Sequence, residues 1–498
     1  MPGPNTAGPP SPTLDGARVL LVDPYLRRED PMERQGEEQY PSLGVLSLAA
    51  YLRHRGADVR VVDLTFERDL GPVREALGGF RPEVVGVHTK TLTLERSLAL
   101  ARLAREAGAF TVAGGPDASS RVDRYLRSGF DAVVTGEGET TLVDLVHARN
   151  EGSTLFGIPG VAFLHDGSSV QGPPRSYLPD LDALPLPAWD LIDLEGYLDR
   201  WSRLTGDRRM AVVTSRGCPF DCSWCSKPTF GRTFRQRSVG SLMHELAMLR
   251  ELYGVDYVRV CDDVFGIQRA WTEEFLEEMI ARDWGMRFEC LSRVDLLKPE
   301  LLPRLKRAGL ARVFLGVESG SQKMLDLMNR GTRLTQVERC ARALKEHGVR
   351  QHWFLMLGYP GETLADIEST VELFRRYSPE EYSVSVALPL PGTRFERLVQ
   401  GSPATKENPL LFEGVGGEIV HRWTRGRLRF WRRMAPFASH YRPSTSARLE
   451  RASDWFGQEV ARRIVVGEEA PRVPPRREEP RQSWLSRPPG EPPRRPAA

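Results

Sequence analysis

Stretches of aliphatic and β-branched residues alternate with amphipathic stretches along most of the chain, and this alternation restricts the fold more than any other feature. The first series begins at residues 18–23 and repeats strand and helix five times up to residue 149. A second series of six strand–helix units runs from residue 210 to residue 388. Parallel strands need helical crossovers, so the pattern predicts an α/β protein. We expect a Rossmann-like, doubly wound sheet followed by a partial (β/α)6 barrel.

Changes in composition divide the chain into six predicted segments. Both ends are rich in proline, which favours disorder, and the prolines between residues 172 and 187 favour an extended linker. The predicted segments are a disordered N-terminus (1–16), the Rossmann-like domain (17–150), the linker (151–205), the barrel (206–400), a helical region (401–465) and a disordered Pro/Arg-rich tail (466–498).

Charge and hydrophobicity exclude several classes of protein. The chain has 69 Lys and Arg residues against 66 Asp and Glu, and this near balance gives no support to binding of a polyanion along the whole chain. No apolar run approaches the ~18–20 residues that cross a bilayer. The N-terminus lacks the pattern of a signal peptide. Six cysteines are too few for a disulfide scaffold, so we expect a cytoplasmic protein whose clustered cysteines serve metal binding or catalysis.

Three of the six cysteines form the sharpest motif in the sequence. Cys218, Cys222 and Cys225 are spaced C-x3-C-x2-C and directly follow the first predicted barrel strand, where a barrel carries its active loops. Thiolates bind iron–sulfur clusters or zinc. A closed zinc site needs four ligands, and no second cysteine pair lies nearby, although a structural zinc loop stays an alternative. Three thiolates on a four-iron cluster would leave one iron open to another ligand.

The cysteine loop, with Trp224 before its last cysteine, resembles that of the radical S-adenosylmethionine (SAM) superfamily. This resemblance implies that the three cysteines hold a [4Fe–4S] cluster whose open iron chelates SAM, and that reduction cleaves SAM to a 5′-deoxyadenosyl radical. It also implies SAM contacts at the ends of the following strands: Asp262 and Asp263 for the amino group, Arg293 for the carboxylate, Glu318 and Ser319 for the ribose, and Gly358 for the adenine.

Glycines cluster at strand ends of the first domain, where they permit tight turns and close approach of the backbone to a ligand. From the residues alone, the domain is a Rossmann-like sheet with an unknown ligand. It also resembles the cobalamin-binding domain that precedes the barrel in one radical SAM subfamily. The resemblance assigns to cobalamin binding the residues Gly114, Gly115, Gly136, Glu137 and Gly138.

One familiar cobalamin motif is missing. The chain has no D-x-H-x-x-G sequence, whose histidine binds cobalt from below in many cobalamin domains. The lower position is therefore open: water, no ligand, or a side chain from residues 88–91. We interpret His88, a lone histidine at a strand end, as structural rather than as a ligand. No G-x-G-x-x-G follows the first strand, which disfavours NAD binding.

The C-terminal region mixes arginine with aromatic residues between Arg422 and Arg433. Such a mixture occurs in nucleic-acid binding and also in an amphipathic helix with a solvated basic face. The near-neutral charge of the chain favours a helix covering the barrel mouth, so we do not expect a nucleic-acid partner.

These resemblances imply a cobalamin-dependent radical SAM methyltransferase. One SAM would methylate cobalamin. The radical from a second SAM would abstract a hydrogen atom from the substrate. The resulting radical, at a carbon or phosphorus centre that is otherwise unactivated, would take the methyl group from methylcobalamin. The expected partners are a small-molecule substrate, such as a natural-product intermediate, and an electron donor such as flavodoxin or ferredoxin. Two alternatives are a radical ring contraction, cyclisation or rearrangement without methyl transfer, and a non-catalytic cobalamin sensor or carrier with a structural cluster.

Overall fold

The structure is a computed structural model that describes residues 12–29, 39–227, 229–387, 389–390 and 392–399. The predicted helical region (401–465), including the stretch from Arg422 to Arg433, and the predicted tail (466–498) lie outside the described residues. So does most of the predicted disordered N-terminus.

The first seven strands form one sheet with helices on both faces. Its strands are β1 (Arg18–Asp23), β2 (Asp58–Asp63), β3 (Val84–His88), β4 (Phe110–Gly114), β5 (Ala132–Val134), β6 (Val161–His165) and β7 (Ser168–Gln171). The helices are α1 (Leu43–His54), α2 (Gly71–Phe80), α3 (Leu94–Glu106), α4 (Pro116–Ser120), α5 (Val122–Arg127) and α6 (Glu139–Asn150). The strand order is β2-β1-β3-β4-β5-β6-β7, and the first five strands are parallel. The predicted doubly wound sheet is confirmed, with its reversal of strand order between β1 and β3.

The predicted linker (151–205) is folded, which corrects the prediction. Strands β6 and β7 pair antiparallel and extend the first sheet, and helix α7 (Leu194–Thr205) contacts the first strand of the barrel. Tyr197 and Trp201 of α7 are buried. Proline spacing indicates extended backbone, but it does not distinguish a free linker from strands and loops packed against a sheet.

The second sheet contains six parallel strands in chain order. They are β8 (Arg209–Val212), β11 (Tyr257–Val260), β12 (Arg287–Ser292), β13 (Leu310–Glu318), β14 (Arg350–Leu357) and β15 (Glu381–Val386); β9 (Ser215–Arg216) and β10 (Arg235–Gln236) form a separate ribbon. The helices are α8 (Val239–Tyr253), α9 (Arg269–Arg282), α10 (Leu302–Arg307), α11 (Gln322–Leu327), α12 (Leu334–Glu346), α13 (Leu364–Tyr377) and α14 (Arg394–Val399). The predicted partial (β/α)6 barrel is confirmed.

Local sequence explains where the barrel helices begin. Ser238, Ser321 and Thr363 each stand immediately before a helix, and each side chain accepts a hydrogen bond from a backbone N–H in the first turn. Such caps satisfy donors that the helix itself leaves unpaired. The helix faces opposite the solvent pack on the apolar strands in one large core.

Within the described ranges, no helix has both the length and the apolar character needed to cross a membrane.

Gly320 provides a test of how strand β13 meets helix α13. A Cβ atom at Gly320 would lie 2.5 Å from the carbonyl oxygen of Ser369 and 2.6 Å from Cα of Thr370, both backbone atoms of α13. We expect Gly320→Ala to lower the free energy of unfolding by about 1–3 kcal/mol, measured by urea denaturation. Gly240→Ala is the matched control, since its Cβ would meet only an ordinary contact and should stabilise α8 by up to ~1 kcal/mol. Equal effects of the two substitutions would contradict this packing.

Candidate active site

The carboxyl ends of the two sheets face each other across one cavity of about 360 Å³. One wall comes from the ends of β1, β3, β4 and β5, and the opposite wall comes from the barrel. The barrel residues include Val213, Ser215, Arg216, Cys261 and Asp263. Residues 184–187, which lie in the segment predicted to be a linker, close the edge between the walls. In both fold types ligands bind at these strand ends, so the cavity is the candidate active site.

Glycines line the wall formed by the first sheet. Gly114, Gly115, Gly136 and Gly138, all predicted to bind a cofactor, line the cavity. A Cβ at Gly114 would meet nothing within 4 Å, so the missing side chain leaves free space there. Gly115 has φ +107°, and its Cβ would lie 2.8 Å from the His88 ring. This smooth wall fits a large ligand such as cobalamin, because few side chains project into the space.

Glu137, predicted to bind cobalamin, also links the two domains. Its carboxylate accepts hydrogen bonds from Arg216 Nη1 (3.0 Å), Arg235 Nη1 (2.8 Å) and the backbone N–H of Leu178 (2.8 Å). Glu139 accepts a further bond from Arg216 Nη2. We call Glu137, Glu139, Arg216 and Arg235 the interdomain clamp. Glu137 is 4% exposed and lines the cavity, and its side chain joins the two domains.

The clamp is electrostatically balanced. Burial alone lowers the pKa of the Arg216 guanidinium, but the carboxylates of Glu139 and Glu137 reverse this and raise that pKa above its ordinary value. Arg216 therefore stays charged and lies two positions before Cys218. The contact between the domains thereby also fixes the start of the cysteine loop.

The three predicted metal ligands lie in the loop between β9 and β10. Gly217 starts this loop with φ +86°, and its Cβ would lie 2.4 Å from the backbone oxygen of Thr233, so only glycine fits. Lys227 Nζ donates to the carbonyl oxygens of Cys218 (2.9 Å) and Phe220. Cys225 is exposed, while Cys218 and Cys222 are half-buried. The loop thus holds its shape through its own backbone contacts.

Two arginines converge on the middle cysteine. Arg330 Nη1 lies 3.4 Å and Arg293 Nη1 lies 3.9 Å from Cys222 Sγ. Positive charge favours the thiolate form that binds metal, so the donor set and its surroundings fit an anionic iron–sulfur cluster. Arg330 was missed by sequence reasoning. Its only signal is its place between Asn329 and Gly331, two residues with positive φ that form a tight turn.

Burial raises the pKa of the Cys218 thiol, and it raises the pKa of Cys225 to about 11. Metal binding to these side chains would therefore release protons. In the part of the chain that the structure describes, no three His, Cys, Asp or Glu side chains lie close enough to hold a single metal ion. A [4Fe–4S] cluster takes each thiolate on a different iron, so its ligands need not meet at one point.

Arg293, predicted to contact the SAM carboxylate, is tied to the cysteine loop. Its guanidinium donates to Asp295 Oδ1 (2.9 Å) and to the carbonyl oxygen of Arg330 (2.8 Å), and it stacks on the Phe220 ring at 3.7 Å. The side chain is 1% exposed. With these contacts it supports the cysteine loop, and its contact with SAM stays a prediction.

The acidic pair after β11 divides into two roles. Asp262 is buried and accepts hydrogen bonds from the backbone and hydroxyl groups of both Thr214 and Ser215. It therefore connects two strand ends, and its predicted contact with the SAM amino group stays a prediction. Asp263 is exposed and lines the cavity. Partial burial raises the pKa of Asp263, while Lys227 and a backbone N–H at Gly217 act in the opposite direction.

The ends of β13 and β14 hold the remaining predicted residues. Glu318 has φ +65°, a strained conformation for a residue with a side chain, and its carboxylate lies 4.0 Å from Arg330 Nη2. Ser319 is fully buried and contacts Thr370. Gly358 has φ +86°, and its N–H donates to Glu362. Of these residues, Glu318 alone places a carboxylate beside the arginine that contacts Cys222.

Two sequence profiles match the chain. The profile of the Radical SAM superfamily matches residues 212–374, and the profile described as the B12 binding domain matches residues 35–146. Each match covers one of the two domains that border the cavity.

Curated relatives and a solved structure are similar to this chain over most of its length. The anaerobic magnesium-protoporphyrin IX monomethyl ester cyclase of Rubrivivax gelatinosus is 31% identical over 75% of this chain and 68% of its own. The hopanoid C-3 methylase of Methylococcus capsulatus is 32% identical over 70% of this chain and 67% of its own. The structure of the radical SAM methyltransferase TsrM from Kitasatospora setae, with cobalamin and a [4Fe–4S] cluster bound, matches with a TM-score of 0.65 at 21% identity, covering 78% of this chain and 76% of TsrM.

The interdomain clamp can be tested by removing one charge. Glu137→Gln leaves Arg235 and Arg216 buried without their full partner, so we expect a loss of about 3–5 kcal/mol in the free energy of unfolding. The matched control is Asp190→Asn in the exposed Arg53–Asp190 pair, where the loss should stay below ~1 kcal/mol. Urea denaturation measures both. Similar losses in the two variants would show that the clamp does not stabilise the contact between the domains.

Proposed function

The chain belongs to the cobalamin-dependent radical SAM enzymes, and we propose that it is a methyltransferase acting on an unactivated carbon or phosphorus centre of a small molecule. The observation that carries this proposal is the cavity between the glycine-lined wall and Arg216 at the start of the cysteine loop, with Cys222 and Cys225 lining a second cleft on the same loop. A cavity shared in this way brings both cofactors within reach of one substrate. Similarity to a named methylase over most of the chain supports methyl transfer as the outcome.

We assign cobalamin to the domain formed by residues 17–150, and SAM and the cluster to residues 206–400. When bound, the cluster supplies the electron that cleaves SAM to a 5′-deoxyadenosyl radical, and cobalamin carries the methyl group to be transferred. Cys218, Cys222 and Cys225 hold the cluster, and Arg330 and Arg293 balance its negative charge. Asp263 is the acidic side chain available for the SAM ammonium group.

The other residues of the cavity exclude water from a reactive radical. The wall is largely apolar, and the segment Leu184–Pro187 covers its edge. Hydrogen abstraction by a carbon radical needs no general base, so the chain does not have to supply an acid–base pair. The protein's contribution is to position the substrate and the cofactors and to protect the radical from water. All six cysteines are free thiols, which suits the proposed cytoplasmic location.

A second candidate function is a radical cyclisation without methyl transfer. It is favoured by the 31% identity to the cyclase of Rubrivivax gelatinosus, which covers as much of this chain as the methylase similarity does. The two functions share both cofactors and differ in the fate of the SAM methyl group.

The two functions give different products from SAM even before the substrate is known. Anaerobic incubation of the loaded protein with SAM and a reductant should give 5′-deoxyadenosine from radical cleavage. A methyltransferase should also give S-adenosylhomocysteine, the remainder of SAM after loss of its methyl group. Liquid chromatography with mass spectrometry quantifies both.

The cluster-deficient variant Cys222→Ala is the control, and it should form no 5′-deoxyadenosine. Formation of 5′-deoxyadenosine without S-adenosylhomocysteine would contradict methyl transfer and favour the cyclase reaction. Absence of both products from fully loaded wild-type protein would contradict a radical enzyme.

We also propose that the electron donor docks at the cleft that two cysteines of the loop line. Cys222 and the exposed Cys225 lie in this cleft, with Arg232, Arg394 and Arg397 also lining it. Arg232 and Arg394 share one acidic partner, Asp221, so the border carries net positive charge. An acidic redox protein such as flavodoxin or ferredoxin fits this surface.

Charge reversal tests the docking cleft. We expect Arg394→Glu to slow SAM cleavage driven by reduced flavodoxin by about tenfold at low salt, since rim charges mainly set association rates. Cleavage driven by dithionite should be unchanged. Arg376→Glu, an exposed position that does not line the cleft, is the control. Equal flavodoxin-driven rates in the two variants would place the donor elsewhere.

A further inference from the structure

His88 lies at the edge of the first sheet where a bound molecule is expected. It ends strand β3, and Asp23 ends the neighbouring strand β1. The strand order reverses between these two strands, so a crevice opens at their carboxyl ends. His88 lines the cavity there, beside Gly114 and Gly115.

The Nδ1 side of the His88 ring is held by two polar groups. Nδ1 lies 3.1 Å from Ser42 Oγ and 3.6 Å from Asp23 Oδ2. Asp23 is 3% exposed and also accepts from Lys90 Nζ at 3.3 Å and from the N–H of Tyr25. The Asp23 carboxylate beside Nδ1 favours the tautomer that carries its proton on Nδ1.

A proton on Nδ1 leaves the lone pair of the neutral imidazole on Nε2. In the described part of the chain, Nε2 has no hydrogen-bond partner, because both polar contacts of His88 are made by Nδ1. Its neighbouring atom Cδ2 lies against Gly115, where a Cβ would come within 2.8 Å. The glycine therefore leaves room for this edge of the ring beside the cavity.

This arrangement has the form of a metal-binding histidine with its supporting carboxylate. We propose that His88 Nε2 binds the cobalt of cobalamin as its lower axial ligand, with Asp23 and Ser42 as positioning residues. The inference replaces our structural interpretation of His88. It rests on cobalamin binding in the cavity and not on methyl transfer. The motif D-x-H-x-x-G does not reveal the site, because here the carboxylate and the imidazole come from different strands.

Electron paramagnetic resonance of the protein loaded with cob(II)alamin tests the proposal without any turnover. The unpaired electron of cob(II)alamin couples to an axial nitrogen and splits each line into a triplet for nitrogen-14 or a doublet for nitrogen-15. Protein grown with nitrogen-15 histidine and loaded with unlabelled cobalamin should therefore show doublets, and unlabelled protein should show triplets.

Other results would overturn the proposal. Triplets in the labelled protein would assign the lower position to the cofactor's own nucleotide base, and lines without nitrogen splitting would assign it to water or to no ligand. Protein that retains no cobalamin would overturn this proposal together with the proposed function, so the two failures are distinguishable.

Variants identify which histidine is responsible. His88→Ala should lose the doublet while still retaining cobalamin, whereas the control His165→Ala, an exposed histidine of the same domain, should keep it. Asp23→Asn tests positioning, because loss of the anion should reduce the nitrogen coupling while His88 remains. A doublet unchanged in His88→Ala would overturn the assignment.

Discussion

The buried contact between Glu137 and the arginines Arg216 and Arg235 is the constraint on which the arrangement depends. It joins a strand end of the first domain to both strands of the ribbon that flanks the cysteine loop. Charges this deeply buried are costly unless they are paired, and here Glu139 and the N–H of Leu178 add hydrogen bonds to those between Glu137 and the two arginines. The same contact therefore fixes how the two sheets are oriented toward each other and where the cysteine loop begins.

A second feature of the site is that several of its polar side chains are held by other protein groups. Asp262, Arg293 and Ser319 are each occupied by protein partners, and each holds a strand end or the cysteine loop in place. The wall that faces a cofactor consists mainly of backbone, glycine and apolar side chains. Such support keeps a site preorganised before its cofactors bind, which limits the reorganisation that binding requires.

Periodicity and motif spacing predicted both sheets and the position of the cysteine loop, because strands buried on two faces and closely spaced cysteines leave local signals. The direction in which a single side chain points left no such local signal. Asp262 and Asp263 are adjacent in sequence and follow the end of β11, yet the first is buried and the second lines the cavity. Arg330 and the pair of His88 with Asp23 depend on contacts between distant segments, and no local pattern records those. The prolines of residues 151–205 predicted extended backbone, but they did not predict that this backbone joins the first sheet.

We propose that cobalamin and the cluster bind independently, on the two domains that face each other across the cavity. The most direct measurement is the absorption spectrum of anaerobically reconstituted protein after removal of unbound cobalamin, compared between Cys222→Ala and Gly114→Leu. The account predicts that the first variant loses the cluster absorption and keeps cobalamin. The second should lose cobalamin and keep the cluster, because its side chain fills free space in the cavity. Cobalamin retained in full by Gly114→Leu, or a cluster retained by Cys222→Ala, would contradict the account.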